Sequence, residues 1–192
     1  MARRGSYAKG IAKREEILTV ALDVIARTGY RRASVRELAE AVDLSQAGLL
    51  HYFTSKEELF QEILRKRDDV DLATYGGESV HPIDGLLGVI SHNQEVPGLV
   101  QLYVQVSTDA CDPEHPSHAF FVERYARIRD VFAQFVRAEQ AAGRIDDDVD
   151  PERVAALFVA AADGLQTQWM LDPSIDMAQH MLHLWHLITR RV

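Results

Sequence analysis

Arg36, Gln46 and His51 carry side chains that can hydrogen-bond the exposed edges of DNA bases. Glutamine can form two hydrogen bonds with adenine, and arginine can form two with guanine. Gln46 and Arg36 are therefore the first candidates for reading bases, and His51 is a weaker one. This combination of residue types suggests sequence-specific contact with a DNA duplex.

Donors for DNA phosphates lie close to these residues in the chain. Ser34 and Tyr52 supply hydroxyl groups, Lys56 supplies an ammonium group, and the free amides of a helix predicted after Ser55 also attract anions. Small residues at Ala47-Gly48 leave a low surface across which the backbone can approach DNA. The predicted DNA-binding set is Ser34, Arg36, Gln46, Ala47, Gly48, His51, Tyr52 and Lys56.

Two short helices must position these side chains. Residues 34–37 form a capping box that begins the first helix, and the second runs from a Ser45 cap through Tyr52. A tight turn at 43–45 joins them, which is the arrangement of a helix-turn-helix. A second capping box at 55–58 begins a longer helix that we expect to reach about Ala73. From spacing alone, an ordinary helical hairpin is an equal alternative.

The charge of the chain is strongly divided along its length. Residues 1–67 carry 13 Lys and Arg against 9 Asp and Glu, a net charge of +4, whereas residues 68–192 carry 8 against 20, a net charge of -12. A basic first third can bind phosphates while the acidic remainder stays off the duplex. The division therefore favours DNA binding despite an overall formal charge of -8.

Apolar residues recur at helical spacing through nearly the whole chain, which predicts an all-α fold of about nine helices. We expect a DNA-binding domain at 1–54, a connecting helix at 55–74, and a ligand-binding and dimerisation domain over 55–192. The other helices are predicted at 11–28, 83–95, 99–110, 117–142, 150–171 and from Asp172 to Arg190-Arg191.

The stretch from Arg14 to Leu59 contains Gly29-Tyr30, Ser34-Val35-Arg36, His51-Tyr52-Phe53 and residues 55–59. With these motifs it resembles the TetR family of transcriptional repressors. The resemblance implies three N-terminal helices that bind DNA, further helices around a ligand pocket, and a last helix pair that forms a four-helix dimer interface. It also implicates Arg36, Gln46, Ala47, Gly48, His51, Tyr52 and Lys56 in DNA contact.

Two positions depart from the family pattern. Asp43 stands where the family favours glycine, and Leu50 where it favours an aromatic residue. Aspartate tolerates the turn conformation, whereas Leu50 removes a hydroxyl and puts one DNA contact in doubt. Further along, 112–118 and 163–166 resemble the regulatory domain of a betaine-type subgroup.

Large apolar side chains mixed with polar groups suggest a pocket for an aromatic or lipid-like effector. Asp163 and Gln166 are its predicted polar anchors. For each residue taken singly, a role in core packing is the more frequent explanation. The predicted set is Leu87, Ile90, Gln101, Tyr103, Gln105, Phe121, Tyr125, Asp163, Gln166 and Trp169.

Small residues on the penultimate helix and an apolar stripe on the last one suggest a homodimer interface. The predicted set is Ala156, Ala160, Gly164, Gln168, Met177, Met181, Leu184, Trp185 and Ile188. His180, His183 and His186 recur on the last helix, and would make dimerisation sensitive to pH if they were buried together. A dimer would bind a pseudo-palindromic operator.

Other classes of protein have less support in the sequence. Cys111, Asp112, His115 and His118 have types and spacing that can bind zinc, but Pro113 and Pro116 favour a rigid loop in which one histidine caps a helix. We therefore expect no metal and no cofactor. No recognisable catalytic constellation appears, so we expect no enzyme. An all-helical interaction adaptor that does not bind DNA is the main alternative, and activation rather than repression also stays open.

The sequence also suggests where the protein acts. A single cysteine fits a reducing compartment. Charged residues from Lys9 to Glu16 occupy the place where a signal peptide would be apolar. No apolar run reaches the roughly 18 residues of a membrane-spanning helix. We expect a soluble protein of the bacterial cytoplasm that is associated with the nucleoid and has no membrane partner.

Overall fold

The computed structural model describes residues 2–30, 32–77 and 80–189, with side chains from Ala8 onward. Within these ranges the chain forms nine α-helices and no strand, which confirms the all-α prediction. None of the described helices is long and apolar enough to cross a membrane. The helices are α1 (Ala2–Thr28), α2 (Val35–Ala41), α3 (Gln46–Leu49), α4 (Lys56–Tyr75), α5 (Pro82–Glu95), α6 (Pro97–Asp109), α7 (His118–Ala141), α8 (Pro151–Leu171) and α9 (Met177–Thr189).

Several helix ends differ from the prediction. The first helix begins at Ala2 rather than Ile11, and α3 ends at Leu49 rather than Tyr52. The last helix begins at Met177 because the Asp172 carboxylate holds a turn, accepting hydrogen bonds from the amide and the hydroxyl of Ser174 at 3.0 and 2.7 Å. Its predicted end at Arg190-Arg191 lies outside the described residues.

The chain divides into two compact units. Unit 1 comprises residues 1–71 and 96–117, and unit 2 comprises residues 72–95 and 118–192. Helix α6 therefore packs with the N-terminal helices although it lies far from them in sequence. The predicted division at residues 54 and 55 separates a DNA-binding domain from a ligand-binding and dimerisation domain. It is a boundary of function rather than of packing, and it stays a prediction.

In unit 1, α1 packs against both α2 and α6. Helix α1 ends at Thr28, and Gly29 follows in a left-handed conformation with φ 81°, its amide donating to the Ile25 carbonyl at 2.9 Å. Gly98 of α6 lies against this end, because a Cβ placed on it would approach the Gly29 Cα to 2.8 Å and would also meet the Ile25 carbonyl oxygen. A residue without a side chain is therefore needed where the two helices meet.

In unit 2, α8 packs against α7 and α9 around a cluster of aromatic rings. Trp185 stacks on Phe135 with ring centroids 5.0 Å apart, and Phe132 stacks on Phe158 at 4.5 Å. The Trp185 ring also meets the edges of Phe132 and Phe158 at 6.2 and 5.9 Å. These contacts fix the C-terminal helix on the interior of unit 2.

Candidate nucleic-acid interface

The structure forms the predicted turn between α2 and α3. Ser34 begins α2 with a complete capping box: its hydroxyl accepts from the Glu37 amide at 3.2 Å, and its own amide donates to the Glu37 carboxylate at 2.8 Å. Asp43 adopts a left-handed conformation with φ 55°, as expected for the position where the resembled family favours glycine. Ser45 caps α3, because its hydroxyl accepts from the Gly48 amide at 3.0 Å.

Arg14 fixes the segment that follows α3. Its guanidinium donates to the Tyr52 carbonyl at 2.5 Å and lies over the Phe53 ring, 4.3 Å from the centroid. It also forms ion pairs with Glu58 and Glu62 of α4, each at 3.1 Å. Arg14 could not be assigned to the site from the sequence, because its partners lie far along the chain and no local pattern shows them.

The second capping box differs in one detail from the prediction. The Ser55 hydroxyl accepts from the Glu58 amide at 3.1 Å, as expected. The Glu58 carboxylate, however, reaches back to Thr54, accepting from its amide at 2.5 Å and its hydroxyl at 2.6 Å. Partial burial alone would raise the pKa of Glu58, but the hydrogen bonds from Thr54 and Arg14 lower it. Glu58 is therefore held ionised as a junction between α1, α4 and the segment after α3.

Most of the predicted DNA-binding residues are open to solvent. Gly48 and Tyr52 are half-buried. Their neighbours Leu49 and Phe53 are buried, and they anchor α3 and the segment after it to the core. Leu50, in the place of the family's aromatic residue, is 39% exposed. The exposed members of the set are Ser34, Arg36, Gln46, Ala47, His51 and Lys56.

Two members of the set have roles within the protein itself. The Ser34 hydroxyl also lies 3.0 Å from the Glu37 carboxylate and donates its proton there, so it is engaged before any phosphate arrives. A Cβ on Gly48 would face the Ser45 hydroxyl at 3.2 Å and the Leu44 side chain at 3.7 Å. The small size of Gly48 thus protects the cap of α3, in addition to any benefit on the DNA side.

Arg36 forms an ion pair with Glu40 one turn along α2, at 2.8 Å, and both side chains are mostly exposed. The Glu40 carboxylate raises the pKa of Arg36 through this hydrogen bond, so the guanidinium stays charged. To contact a base, Arg36 must leave Glu40, and the carboxylate then faces the negative duplex. We therefore expect Glu40 to oppose DNA binding.

We expect Glu40→Gln to tighten DNA binding roughly two- to fivefold, the range of one exposed ion pair. Titration of a labelled DNA fragment in 0.1 M salt measures this change. Asp23→Asn is the matched control, because Asp23 forms an exposed ion pair of the same spacing with Arg27 on α1. Equal affinities for Glu40→Gln and the unsubstituted protein would contradict the opposing role of Glu40.

The predicted effector residues are distributed over both units. In unit 2, the Tyr125 hydroxyl on α7 donates to the Asp163 carboxylate on α8 at 2.6 Å. Gln166 is 8% exposed, and its side-chain oxygen has no hydrogen-bond partner among the described residues. Phe121, Ile90 and Trp169 are buried in unit 2, and Leu87 is half-buried there. Gln101, Tyr103 and Gln105 lie on α6 in unit 1, with only Tyr103 buried.

The predicted dimer residues separate into two groups. Ala156, Ala160 and Gln168 on α8 are exposed, Gly164 is half-buried with open space where a Cβ would stand, and Leu184 and Ile188 on α9 are half-buried. Met177, Met181 and Trp185 are buried within one protomer, at 1%, 0% and 6% exposure. These three side chains fill the interior of unit 2, so only the other members stay candidates for a dimer surface.

In the loop between α6 and α7, side chains form hydrogen bonds with nearby backbone groups. The His115 imidazole accepts a hydrogen bond from the Ser117 amide at 3.2 Å, just before α7 begins. Cys111 is exposed, and its thiol lies 3.6 Å from the Ser107 carbonyl. Among the described residues, no three His, Cys, Asp or Glu side chains come together as metal ligands.

Comparisons with known proteins match both ends of the chain. The family of bacterial regulatory proteins described as the tetR family matches residues 17–63, which include α2, α3 and the start of α4. The family described as the C-terminal part of BetI-type transcriptional repressors matches residues 117–189. Together the two matches account for both regions in which the sequence resembled such regulators.

Individual relatives agree with these matches. The HTH-type transcriptional regulator UidR of Escherichia coli is 25% identical over 156 residues, 79% of each chain. The regulator RutR of Escherichia coli is 39% identical over 62 residues, 32% of this chain and 29% of its own. A putative transcriptional regulator from Saccharomonospora viridis, solved in complex with choline, is 25% identical with a TM-score of 0.72, covering 93% of this chain and 98% of its own.

The relatives are named as transcriptional regulators, and the similarity to UidR and to the Saccharomonospora viridis protein extends over most of the chain. The helix-turn-helix geometry, the two family matches and the shared all-helical architecture agree with one another. The chain belongs to the TetR family of bacterial regulatory proteins, with a C-terminal region of the BetI type.

Proposed function

We propose that this protein is a ligand-responsive transcriptional repressor that binds a pseudo-palindromic operator as a homodimer. The observation that carries this proposal is the exposed α3, whose Gln46 and Ala47 face solvent while Leu49 anchors it to the core. A helix held in this way can enter the major groove and present its first residues to base edges. The match to BetI-type repressors supports repression rather than activation.

Gln46 is the proposed base-reading residue, and Arg36 and His51 are the further candidates. Tyr52 and Lys56 supply phosphate contacts, and the Arg14 network holds the backbone between them in place. Because a bidentate side-chain contact discriminates between bases whereas a phosphate contact does not, substitutions at these two kinds of position have different effects. Because the relatives are named as regulators, catalysis is no part of the proposed function.

The proposed effector is a small molecule with an apolar or aromatic surface. Its proposed place is among the helices of unit 2. Aromatic rings at Phe121 and Tyr125 and the polar groups of Asp163 and Gln166 provide both kinds of contact within unit 2. The similar regulator from Saccharomonospora viridis was solved with choline, so choline is the first compound to test. An effector releases DNA only if it binds one conformation of the dimer better than the other.

The proposed dimer surface lies on α8 and α9. Leu157 and Leu171 of α8 are 65% and 84% exposed, and Leu187 of α9 is 62% exposed. Together with the exposed Ala156 and Ala160, they supply the apolar side chains of the proposed surface. Pairing of this surface between two protomers would place two copies of α3 on one duplex.

Selection of bound fragments from a random DNA pool tests the DNA-binding proposal. We expect the purified protein to enrich a pseudo-palindrome, with binding that weakens as salt rises. In Gln46→Ala, preference for one base in each half-site is expected to relax by about 1–3 kcal/mol of discrimination, because alanine cannot form the bidentate hydrogen bonds. Gln134→Ala is the matched control, since this exposed glutamine lies on α7 of unit 2.

The outcomes separate the two classes of function. A palindrome whose base preference relaxes only in Gln46→Ala supports the repressor and supplies a probe for release by choline and other effectors. Failure to enrich any sequence would contradict the proposal and favour an all-helical interaction adaptor, which the comparisons do not favour. Unchanged base preference in Gln46→Ala would move base reading to Arg36 or His51.

A further inference from the structure

We propose that the effector carries a hydroxyl or N–H group that donates a hydrogen bond to the side-chain oxygen of Gln166, so that Gln166 selects small alcohols and amines. This inference rests on the proposed function and names the chemical class of the effector. It starts from a buried polar atom of α8. Gln166 is buried within unit 2, and its Oε1 has no hydrogen-bond partner among the described residues.

An unpaired amide oxygen is unusual in a protein interior, where most buried polar groups are hydrogen-bonded. Leaving such a group unpaired is unfavourable, because folding removes its hydrogen bonds to water without replacing them. Methionine has a similar length and would fill the same space without a strongly polar atom. Packing within the protomer therefore does not explain a glutamine at position 166, whereas a ligand that donates to its oxygen does.

The contacts between α7 and α8 indicate which part of α7 lies toward Gln166. The Tyr125 hydroxyl of α7 donates to the Asp163 carboxylate of α8 at 2.6 Å. The stacked phenylalanines lie farther along α7 and farther back on α8, so the two helices are antiparallel. Gln166 is about one turn beyond Asp163, and Phe121 is about one turn before Tyr125. Gln166 is therefore on the Phe121 side of the Tyr125–Asp163 pair.

Aromatic rings accompany the unpaired oxygen in this part of unit 2. Phe121 is buried, and its ring centroid lies 6.2 Å from that of Tyr125. Trp169 is also buried, and it follows Gln166 by three residues on the same face of α8. Sites for small molecules combine such apolar and aromatic side chains with a few polar groups that orient the ligand. An apolar ligand body can therefore pack on rings while one polar group reaches Gln166.

The neighbouring polar groups favour a ligand that donates a proton rather than one that accepts it. The Tyr125 hydroxyl gives its proton to Asp163, so this pair offers further oxygen atoms. A carboxylate on the ligand would bring a second negative charge close to the Asp163 carboxylate, which is unfavourable. A hydroxyl or an amine supplies the proton that the Gln166 oxygen lacks. The chemical class that fits is a small alcohol or amine with an apolar remainder.

Calorimetric titration of the full-length protein with matched probes tests this inference. Choline is compared with propyltrimethylammonium, which has a methyl group in place of the hydroxyl. In a second series, 2-phenylethanol and 2-phenylethylamine are compared with the methyl ether of 2-phenylethanol. In at least one series, we expect the donor to bind about 5- to 150-fold more tightly than the compound without one, the range for one buried polar group left unpaired.

Two variants identify the acceptor. In Gln166→Met the donor should lose its advantage, so the probes of that series should bind equally. Gln134→Met is the matched control, because this exposed glutamine lies on α7 of unit 2, and it should keep the discrimination. Thermal unfolding without ligand checks the fold. We expect Gln166→Met to unfold at the same temperature as the unsubstituted protein or a higher one, since the substitution removes an unpaired buried oxygen.

The outcomes separate this inference from the proposed function. Discrimination in the unsubstituted protein and in Gln134→Met, but not in Gln166→Met, supports the inference. Discrimination that is absent from the unsubstituted protein, or that persists in Gln166→Met, overturns it and leaves the proposed effector site intact. Binding of none of the three donors also overturns it.

Two further measurements complete the test. A lower unfolding temperature for Gln166→Met than for Gln134→Met would assign the Gln166 oxygen a structural partner and would overturn the inference. The titrations contain no DNA, so they do not depend on operator binding. Failure to enrich an operator in the separate selection would contradict the proposed function, whatever the calorimetry shows.

Discussion

Replacing Gly98 with alanine is expected to lower the free energy of unfolding by about 3 kcal/mol or more, the upper end for overpacked sites. The added methyl group would collide with the Ile25 carbonyl oxygen and approach the Gly29 Cα to 2.8 Å. Both are backbone atoms, so no side chain can rotate away to make room. Chemical denaturation followed by far-ultraviolet circular dichroism measures the decrease.

Gly10→Ala is the control for Gly98→Ala. Gly10 lies in α1 of the same unit, and a Cβ there would meet nothing within 4 Å. Since alanine favours a helix over glycine by roughly 0.5–1 kcal/mol, Gly10→Ala should leave stability unchanged or slightly raised. A Gly98→Ala protein as stable as Gly10→Ala would show that α6 does not approach the end of α1 so closely.

Trp185→Ala is expected to destabilise the protein by about 3–5 kcal/mol, as for other buried aromatic residues. Trp185 is 6% exposed and contacts Phe132, Phe135 and Phe158, so its removal leaves a cavity bordered by three rings. Thermal unfolding at several protein concentrations measures the effect. We expect the destabilisation to be present at every concentration, because the contacts lie within one protomer.

Trp185→Phe provides a graded control. Phenylalanine retains a ring that can stack on Phe135, so we expect a smaller destabilisation than for alanine. A residue on the dimer surface would behave differently, since its substitution would mainly change the dissociation constant of the dimer. If Trp185→Ala were less stable only on dilution, Trp185 would belong to the dimer surface and not to the interior of unit 2.

The sequence predicted the fold well where caps and hydrophobic period agree. The Asp150 carboxylate accepts hydrogen bonds from the Glu152 and Arg153 amides at 3.0 and 3.1 Å, in agreement with a helix predicted to begin at residue 150. Residues 2–10 contain no apolar stripe, so periodicity could not show that α1 extends through them. Helical periodicity in a sequence reveals only a face that packs against other elements.

Periodicity was less informative about what covers an apolar face. Met177, Met181 and Trp185 share a stripe on α9, and the stripe alone fits a dimer contact as well as a protomer interior. Burial against α5 and α8 and the ring contacts with Phe132 and Phe135 distinguish these two cases. A sequence read alone contains no information on which helix lies opposite.

The sequence predicted the residues of the candidate DNA surface more fully than the contacts that hold this surface in place. Exposed positions such as Arg36 and Gln46 follow from residue type and from the turn between two short helices. Arg14 could not be assigned in the same way, because its hydrogen bond to Tyr52 and its ion pairs with Glu58 and Glu62 join distant parts of the chain. Only the fold brings these distant parts of the chain together.

Both tryptophans of the chain, Trp169 and Trp185, are buried in unit 2, and unit 1 contains none. Intrinsic tryptophan fluorescence therefore reports on unit 2, without any signal from the helix-turn-helix in unit 1. Far-ultraviolet circular dichroism reports on both units together, so a comparison of the two signals can resolve separate unfolding steps. Tryptophan fluorescence can therefore follow unit 2 without an added label while unit 1 binds DNA.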